Sequence, residues 1–454
     1  MLHNLKPYPA YKDSGVPWLG EVPEHWEVER LKAAVAQIND QTSEKKPDEV
    51  YVALEHVESW TGRVRLPNNN ITFDSQVKRF HRDDVLFGKL RPYLAKVTRL
   101  SVEGVCVGEF LVLRPRSSAI LSPFLENILR SKPIIDVINS STYGAKMPRA
   151  DWGFIGNLLL CFPPNSEQSA IVRYLDHFDR RIRRYIRAKQ KLIKLLEEQK
   201  QAIIHQAVTR GLDPNVKMKN SGVEWLGDVP EHWEVSRVKN EFKCLNHQRI
   251  PLSGTERGNM TLRQFDYYGA SGVIDKVDNY LFDDELLLIA EDGANLVLRN
   301  LPLAIIARGK FWVNNHAHIL KPVKGNLEYL SNLMETLNYK PWISGAAQPK
   351  LTQDRLMSIA IAVPPIEEQE CIIESIRTET TPLLVTISQA HREISLLHEY
   401  RTRLIADVVT GKLDVREAAA NLPEETDETE ALDEELAEDE ETTEEEIDCE
   451  IEEE

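Results

Sequence analysis

Two short loops carry residue types suited to polar recognition close to the backbone. They read Tyr143-Gly144-Ala145-Lys146-Met147-Pro148-Arg149 and Ser344-Gly345-Ala346-Ala347-Gln348-Pro349-Lys350. In each, small residues permit close approach of a ligand. A proline then stiffens the turn, and a cation follows it, Arg149 or Lys350. A structural turn leading into a last strand accounts for both loops equally well. A third cluster, Lys89, Arg91, Tyr93 and Lys96, surrounds Gly88 and Pro92. These two residues predict a turn that points several side chains outwards. A solvated hairpin edge protected by lysine is the alternative. Tyr268, Asn295, Asn314, Asn315 and His316 are further polar candidates, although Asn295 after Gly293 also suits a plain turn.

Catalytic chemistry is not legible. A phosphate-cradling loop needs Gly-x-x-x-x-Gly-Lys-Ser/Thr. Thr410-Gly411-Lys412-Leu413 lacks both the earlier glycine and the hydroxyl. An amino-methyltransferase would show Asn or Asp before a Pro pair, but Phe162 and Val363 stand there. Glu198-Gln199-Lys200 lies on a predicted helix and reads as its solvated face. His316 and His318 have no further metal-ligating cluster beside them in the sequence and read as a strand-end pair. The expectation is a chain with no active site, no metal and no cofactor of its own.

The elements that must position these loops come in two copies. Ser14 to Lys32 (SGVPWLGEVPEHWEVERLK) and Ser221 to Lys239 (SGVEWLGDVPEHWEVSRVK) are identical at 15 of 19 positions. Further on, Gly144-Ala145, Pro148-Arg149, Pro163-Pro164, Glu167-Gln168, Val208-Thr209 and Leu212-Asp213 recur as Gly345-Ala346, Pro349-Lys350, Pro364-Pro365, Glu368-Gln369, Val409-Thr410 and Leu413-Asp414. Between these anchors the halves diverge, so each half is a constant frame around a variable insert. Trp18/Trp26 and Trp225/Trp233 lie in the frame and read as packing between globule and helix. After Pro163-Pro164 no Gly or Pro appears until Gly211, and Ile171, Leu175, Phe178, Ile182, Tyr185, Leu192, Leu196 and Ile203 keep a three–four spacing. That is a coiled-coil seam on a helix about 66 Å long. The second copy carries Ile373, Ile376, Leu383, Ile387, Ile394, Leu397 and Leu404, with Pro382 predicting a kink or restart. Residues 50–57, 83–90, 105–115, 286–291, 303–308 and 317–322 read as strands and turns.

The fold class is therefore mixed α/β, in two tandem pseudo-two-fold halves. Each half is a globule followed by a long helix, and the two helices pair as an antiparallel coiled coil. The expected domains are residues 1–163 and 214–364 (globules), 164–213 and 365–417 (helices) and 418–454 (tail). Residues 424–454 hold 20 Asp and Glu and no Lys or Arg, which accounts for the formal charge of −17 and leaves +3 on the rest. Such a tail repels itself and is expected to be disordered. Neither insert is strongly basic: residues 33–162 carry 17 basic and 14 acidic side chains, and residues 240–363 carry 13 of each. The five widely spaced cysteines argue against a disulfide framework or a zinc site. With no signal segment or membrane-spanning run, a cytoplasmic location is expected.

Residues 14 to about 414 resemble the specificity subunits of type I restriction–modification systems. The resemblance rests on the tandem WLGxVPEHWxV segments, the PPxxEQ helix starts and the Thr-Gly-Leu-Asp-like helix ends. Local stretches add to it: LFGKLRPYLAKV and EFLVLRP in the first insert, and YYGASGVID, LLLIAEDGANLV, GKFWVNNHAHILKP and SGAAQPKLTQ in the second. It implies two target-recognition domains, each reading one half of a split, asymmetric site in double-stranded DNA. It implies two modification (methyltransferase) subunits bound to the helices and a motor-nuclease restriction subunit. S-adenosylmethionine, ATP and Mg would then belong to the partners, and adenine methylation or restriction would be their reaction. Under this resemblance Lys89, Arg91, Tyr93, Lys96, Lys146, Arg149, Tyr268, Asn295, Asn314, Asn315, His316, Gln348 and Lys350 become candidate DNA contacts. Arg or Lys suits guanine, and Asn or Gln suits adenine. Two other readings stay open: a recognition module separated from a single-chain restriction enzyme, and a coiled-coil adaptor that never touches DNA.

Overall fold

The computed structural model describes residues 5–66, 75–116, 120–144, 146–345 and 349–423. Gln348 and the acidic tail lie outside the described residues. The chain divides into two compact units. One takes residues up to 189 together with those from 392, and the other takes residues 190–391. Each long helix therefore gives one part to each unit.

The repeated segment builds the same pair of ladders in both units. Tyr11–Asp13 pairs antiparallel with Glu21–Pro23, and Glu27–Arg30 with Leu159–Phe162. Met218–Asn220 pairs with Asp228–Pro230, and Glu234–Arg237 with Ala360–Val363. The last strand of each insert is thus tied to the segment that opened its half.

In the first unit, one sheet runs Val35–Ile38, Phe110–Pro115, Val85–Gly88, Val97–Arg99 in spatial order. A second runs Gln41–Thr42, Val77–Phe80, Gly104–Val107, Val50–Val52. The run 105–115, read as strand and turn, is two strands in different sheets, divided at Gly108-Glu109. Val52, Phe80, Leu86, Cys106, Phe110 and Val112 form one buried cluster. A larger core packs Val85, Phe87, Leu111 and Leu113 with helices Ser122–Arg130 and Lys132–Ser140. It also includes Ile171 and Leu175 of the first long helix and Leu404 and Val408 of the second.

The second unit has a single six-stranded sheet, ordered Phe242–Cys244, Ala317–Pro322, Phe282–Ala290, Ala304–Val313, Phe265–Gly269, Gly272–Val277. Its main core joins Leu287, Ile289 and Leu320 to helix Leu327–Thr336 and to Ile372, Ile373 and Val208 of the long helices.

The long helices span Asn165–Arg210 and Ile366–Val409. They run antiparallel within each unit. In the first, Asp179 bonds Arg401 and Lys189 lies 2.8 Å from Glu393, so numbering rises on one helix as it falls on the other. In the second, Val208 packs in one core with Ile372 and Ile373. The helix, expected to kink or restart at Pro382, continues through it without a restart. Gly211 and Gly411 end the two helices in the left-handed conformation that favours glycine. A Cβ on Gly411 would lie 2.4 Å from Pro23 Cδ.

Candidate nucleic-acid interface

The frame grips each globule through one carboxylate and one amide. Trp26 Nε1 donates to Glu167 Oε1 at 2.9 Å, Tyr8 OH donates to the same oxygen at 2.5 Å, and His25 Nε2 lies 2.8 Å from Oε2. In the second unit, Trp233 Nε1 donates to Glu368 Oε1 at 3.1 Å and His232 Nε2 lies 2.6 Å from Oε2. The next residue completes the weld. Gln168 donates to Pro163 O and accepts from Leu121 N–H, as Gln369 donates to Pro364 O and accepts from Asn326 N–H. Trp26 and Trp233 therefore fasten globule to helix. Trp225 is different: it is partly exposed, edge-on to Trp342.

On this frame, each globule ties three segments together by the same backbone bonds. In the first unit, Lys89 N–H donates to Glu109 O, Ala150 N–H to Lys89 O, and Arg91 N–H to Pro148 O. Arg149 forms antiparallel bridges to Leu90 and Tyr143. In the second, Glu291 N–H donates to His316 O, Leu351 N–H to Glu291 O, and Gly293 N–H to Pro349 O. Lys350 bridges Asp292 and Ser344. Positions 89, 91, 109 and 149 thus correspond to 291, 293, 316 and 350. Two clusters that were separate in sequence, around Arg91 and around Arg149, become one site.

The side chains on this shared knot differ. In the first unit Arg149 forks onto Glu109, with Nε and Nη2 each 3.2 Å from a carboxylate oxygen. The Glu109 carboxylate holds the Arg149 guanidinium above its usual pKa. Arg91, Tyr93 and Lys146 are exposed beside it, and Lys89 is half-buried. In the second unit the carboxylate stands on another strand end: Lys350 Nζ lies 3.2 Å from Glu291 Oε1. Arg249 donates to Glu291 Oε2 at 2.5 Å, and His316 Nδ1 lies 2.9 Å from Asp292. Burial pushes the Glu291 carboxyl up, but the contacts from Arg249 and Lys350 outweigh it, leaving it below the usual value. Asn315 and His316 are exposed.

The equivalent residues Arg91 and Gly293 both have positive φ, 49° and 100°. Glycine adopts this without penalty, whereas an L-residue incurs about 1–2 kcal/mol. Arg91 is held there by its bond to Pro148 O.

Several sequence candidates make contacts within the scaffold. Lys96 Nζ donates to Leu54 O at 2.7 Å, and its burial lowers its pKa. Asn295 braces its own loop, donating to Leu301 O and accepting from Leu301 N–H. Asn314 is buried, and its Oδ1 accepts from His316 N–H. Tyr268 lies against Phe311 at the rim of a core, with its ring half-buried. His318, paired with His316 in the sequence reading, is buried between Asn246 and Leu351 O. Sequence reading missed Glu109, Glu291, Asp292 and Arg249, because their partners lie on other strands.

The two units are thus tandem copies of one frame that carry the same backbone knot with different side chains. A family model described as the type I restriction modification DNA specificity domain matches residues 230–381. A putative type I restriction enzyme specificity subunit of Haemophilus influenzae, S.HindORF215P, is 33% identical over 161 residues, which is 35% of this chain and 37% of that protein. The putative type I restriction enzyme MjaX specificity subunit of Methanocaldococcus jannaschii is 25% identical over 429 residues, covering 88% of this chain and 96% of that protein. A chain from a structure of the type I R-M system, solved to describe its assembly and conformational transition, shares the fold. Its TM-score is 0.65 at 17% identity, covering 86% of this chain and 99% of that one. Residues 230–381 thus match a type I restriction modification DNA specificity domain, and most of the chain is similar to type I restriction enzyme specificity subunits.

Proposed function

We propose that each globule of this chain reads one half of a split, asymmetric DNA site. Partner subunits then methylate adenine or restrict the DNA. The observation that carries this reading is the backbone knot shared by both units, which presents Lys89, Arg91, Tyr93, Lys146 and Arg149 in one and Asn315, His316 and Lys350 in the other. A fixed frame with exchanged polar side chains is what reading two different sequences requires. Backbone bonds hold the register whatever the side chains are, and base edges are distinguished by side-chain donors and acceptors. The left-handed Arg91 adds support, since local strain of this kind concentrates at functional positions.

Two methyltransferase subunits and a motor-nuclease subunit are the partners of this reading. S-adenosylmethionine, ATP and Mg would be held by them. Because neither insert is strongly basic, those subunits are expected to supply further phosphate contacts.

The test is methylome sequencing of cells carrying the wild-type chain, a Lys146→Ala/Arg149→Ala variant or a Gln348→Ala/Lys350→Ala variant. The first pair is expected to relax or weaken only one half-site and the second pair only the other. Equal effects of either pair on both half-sites, or none at both loops, would overturn the reading.

A further inference from the structure

The frame cation of each knot, Arg149 or Lys350, is faced by a carboxylate supplied from a different strand end. Glu109 stands just before the strand Phe110–Pro115, whereas Glu291 follows the strand Phe282–Ala290. By the backbone correspondence these are different positions, 109 matching 316 and 291 matching 89. Lys89 and His316 occupy the places that the carboxylates leave. Two inserts with little sequence in common thus place one carboxylate against one cation by separate routes.

Neither cation needs that partner for its own solvation. Arg149 and Lys350 side chains are 39% and 50% exposed, so water can serve them; the half-exposed Arg149–Glu109 pair adds little to stability, whereas Glu291 is buried and also holds Arg249. A carboxylate on a surface that meets DNA also repels phosphate. Its cost in sequence-independent affinity is therefore real, and at Glu109 the benefit to folding is small. What it does provide is aim. The two bonds to Glu109 fix the plane of the Arg149 guanidinium, and Glu291, braced by Arg249, fixes where Lys350 ends.

We propose that Glu109 and Glu291 are positioning residues for sequence discrimination: each holds its frame cation toward base edges and keeps it from binding phosphate indiscriminately. Weakening the wrong complex is a recognised route to specificity, because discrimination is a difference between two affinities. This inference rests on the reading of the knots as DNA contacts.

The test uses the full-length chain co-expressed with its methyltransferase subunit, selection from a randomised duplex pool, and titration of a mixed-sequence duplex against salt. Glu109→Gln is expected to broaden the first selected half-site only, and Glu291→Gln the second only. Each freed cation should add about one phosphate contact, steepening the slope of log K against log salt by about 0.9. Between about 50 and 200 mM salt that amounts to a further loss of about 3.5-fold in non-specific affinity. Glu109→Asp should restore the selected half-site, which a purely structural role would not require. Arg149→Ala and Lys350→Ala separate the two levels of the argument. If these leave DNA binding and selection unchanged, the knots are not DNA contacts and both readings fall. If they weaken binding while the Gln variants keep wild-type half-sites and salt slope, the positioning role alone is overturned. A Gln variant that loses thermal stability is replaced by its Asp counterpart with the same readouts. An Asp variant that is stable but unselective also overturns the role.

Discussion

Replacing Glu167 by Ala should destabilise the protein about twice as much as replacing Glu368 by Ala, although the two residues are copies of one motif. Glu167 is 4% exposed and accepts from two buried donors, Tyr8 OH and Trp26 Nε1. Burial, reinforced by Glu167, raises the Tyr8 phenol far above its ordinary pKa, so it remains a donor at any working pH. Glu368 accepts from one buried donor, Trp233 Nε1. The second copy has Asn215 where the repeat would place a counterpart of Tyr8. His25 and His232, 41% and 48% exposed, can turn to water in either variant. A buried donor left without an acceptor costs about 1–3 kcal/mol. Glu167→Ala strands two and should cost about 2–6 kcal/mol, against about 1–3 kcal/mol for Glu368→Ala. Relief of the carboxylate's own desolvation is greater for Glu167, 4% exposed, than for Glu368, 27% exposed, and so narrows the difference. Hydrogen exchange under native conditions is the suitable assay, because it reports the two units separately. Glu167→Gln, which keeps an acceptor oxygen, should lose less than Glu167→Ala. Equal losses for the two Ala variants, or a larger one for Glu368→Ala, would refute the account of the clasp as a donor-counting device.

Two further outcomes follow from the same reasoning. Lys96→Ala should lower stability by about 1–2 kcal/mol, because Leu54 O loses its donor, while DNA sequence selection stays as in the wild type; a changed half-site would return Lys96 to the reading surface. Deleting residues 424–454 should tighten non-specific DNA binding at low salt, since 20 acidic side chains no longer compete for basic surface. That gain should shrink as salt screens charges over about 8–10 Å, and identical titrations at every salt would assign the tail another role.

The parts of the fold legible in the sequence are those fixed by local chemistry or repeated in it. The helices 165–210 and 366–409 follow from spacing and from the Pro and Gly residues at their ends. Trp26 and Trp233 are buried as packing residues should be, whereas Trp225, which recurs in the same frame, is exposed. Glu167 and Glu368 stood out as repeat anchors, but their hydrogen-bond partners appear only once the opening segment pairs with the last strand of its insert. The Glu109–Arg149 pair could not be read. It joins residues 40 apart across a ladder whose register no local pattern sets. Asn295, read as a polar candidate or a plain turn residue, bonds Leu301 nearby in sequence, and a turn-bracing asparagine has the same local signature as a base-reading one.

Under the proposed reading, the division into frame and insert would let such a protein change what it reads without refolding. The bonds that set the knot are carried by the main chain of residues 89, 91, 109, 148 and 150, and of 291, 293, 316, 349 and 351. Main-chain donors and acceptors are the same for every residue except proline, which lacks the N–H. Side chains on the knot can therefore be exchanged freely, and the two units show the exchange: lysine for glutamate at 89 and 291, glutamate for histidine at 109 and 316. The constraint that remains is conformational. Position 91 or 293 must accept positive φ, where glycine is at ease and other residues are strained. Arginine at that position in one unit and glycine in the other means that the first unit bears a strain the second avoids. In the free protein the Arg91 N–H bond to Pro148 O holds that conformation, while the Arg91 side chain itself is exposed.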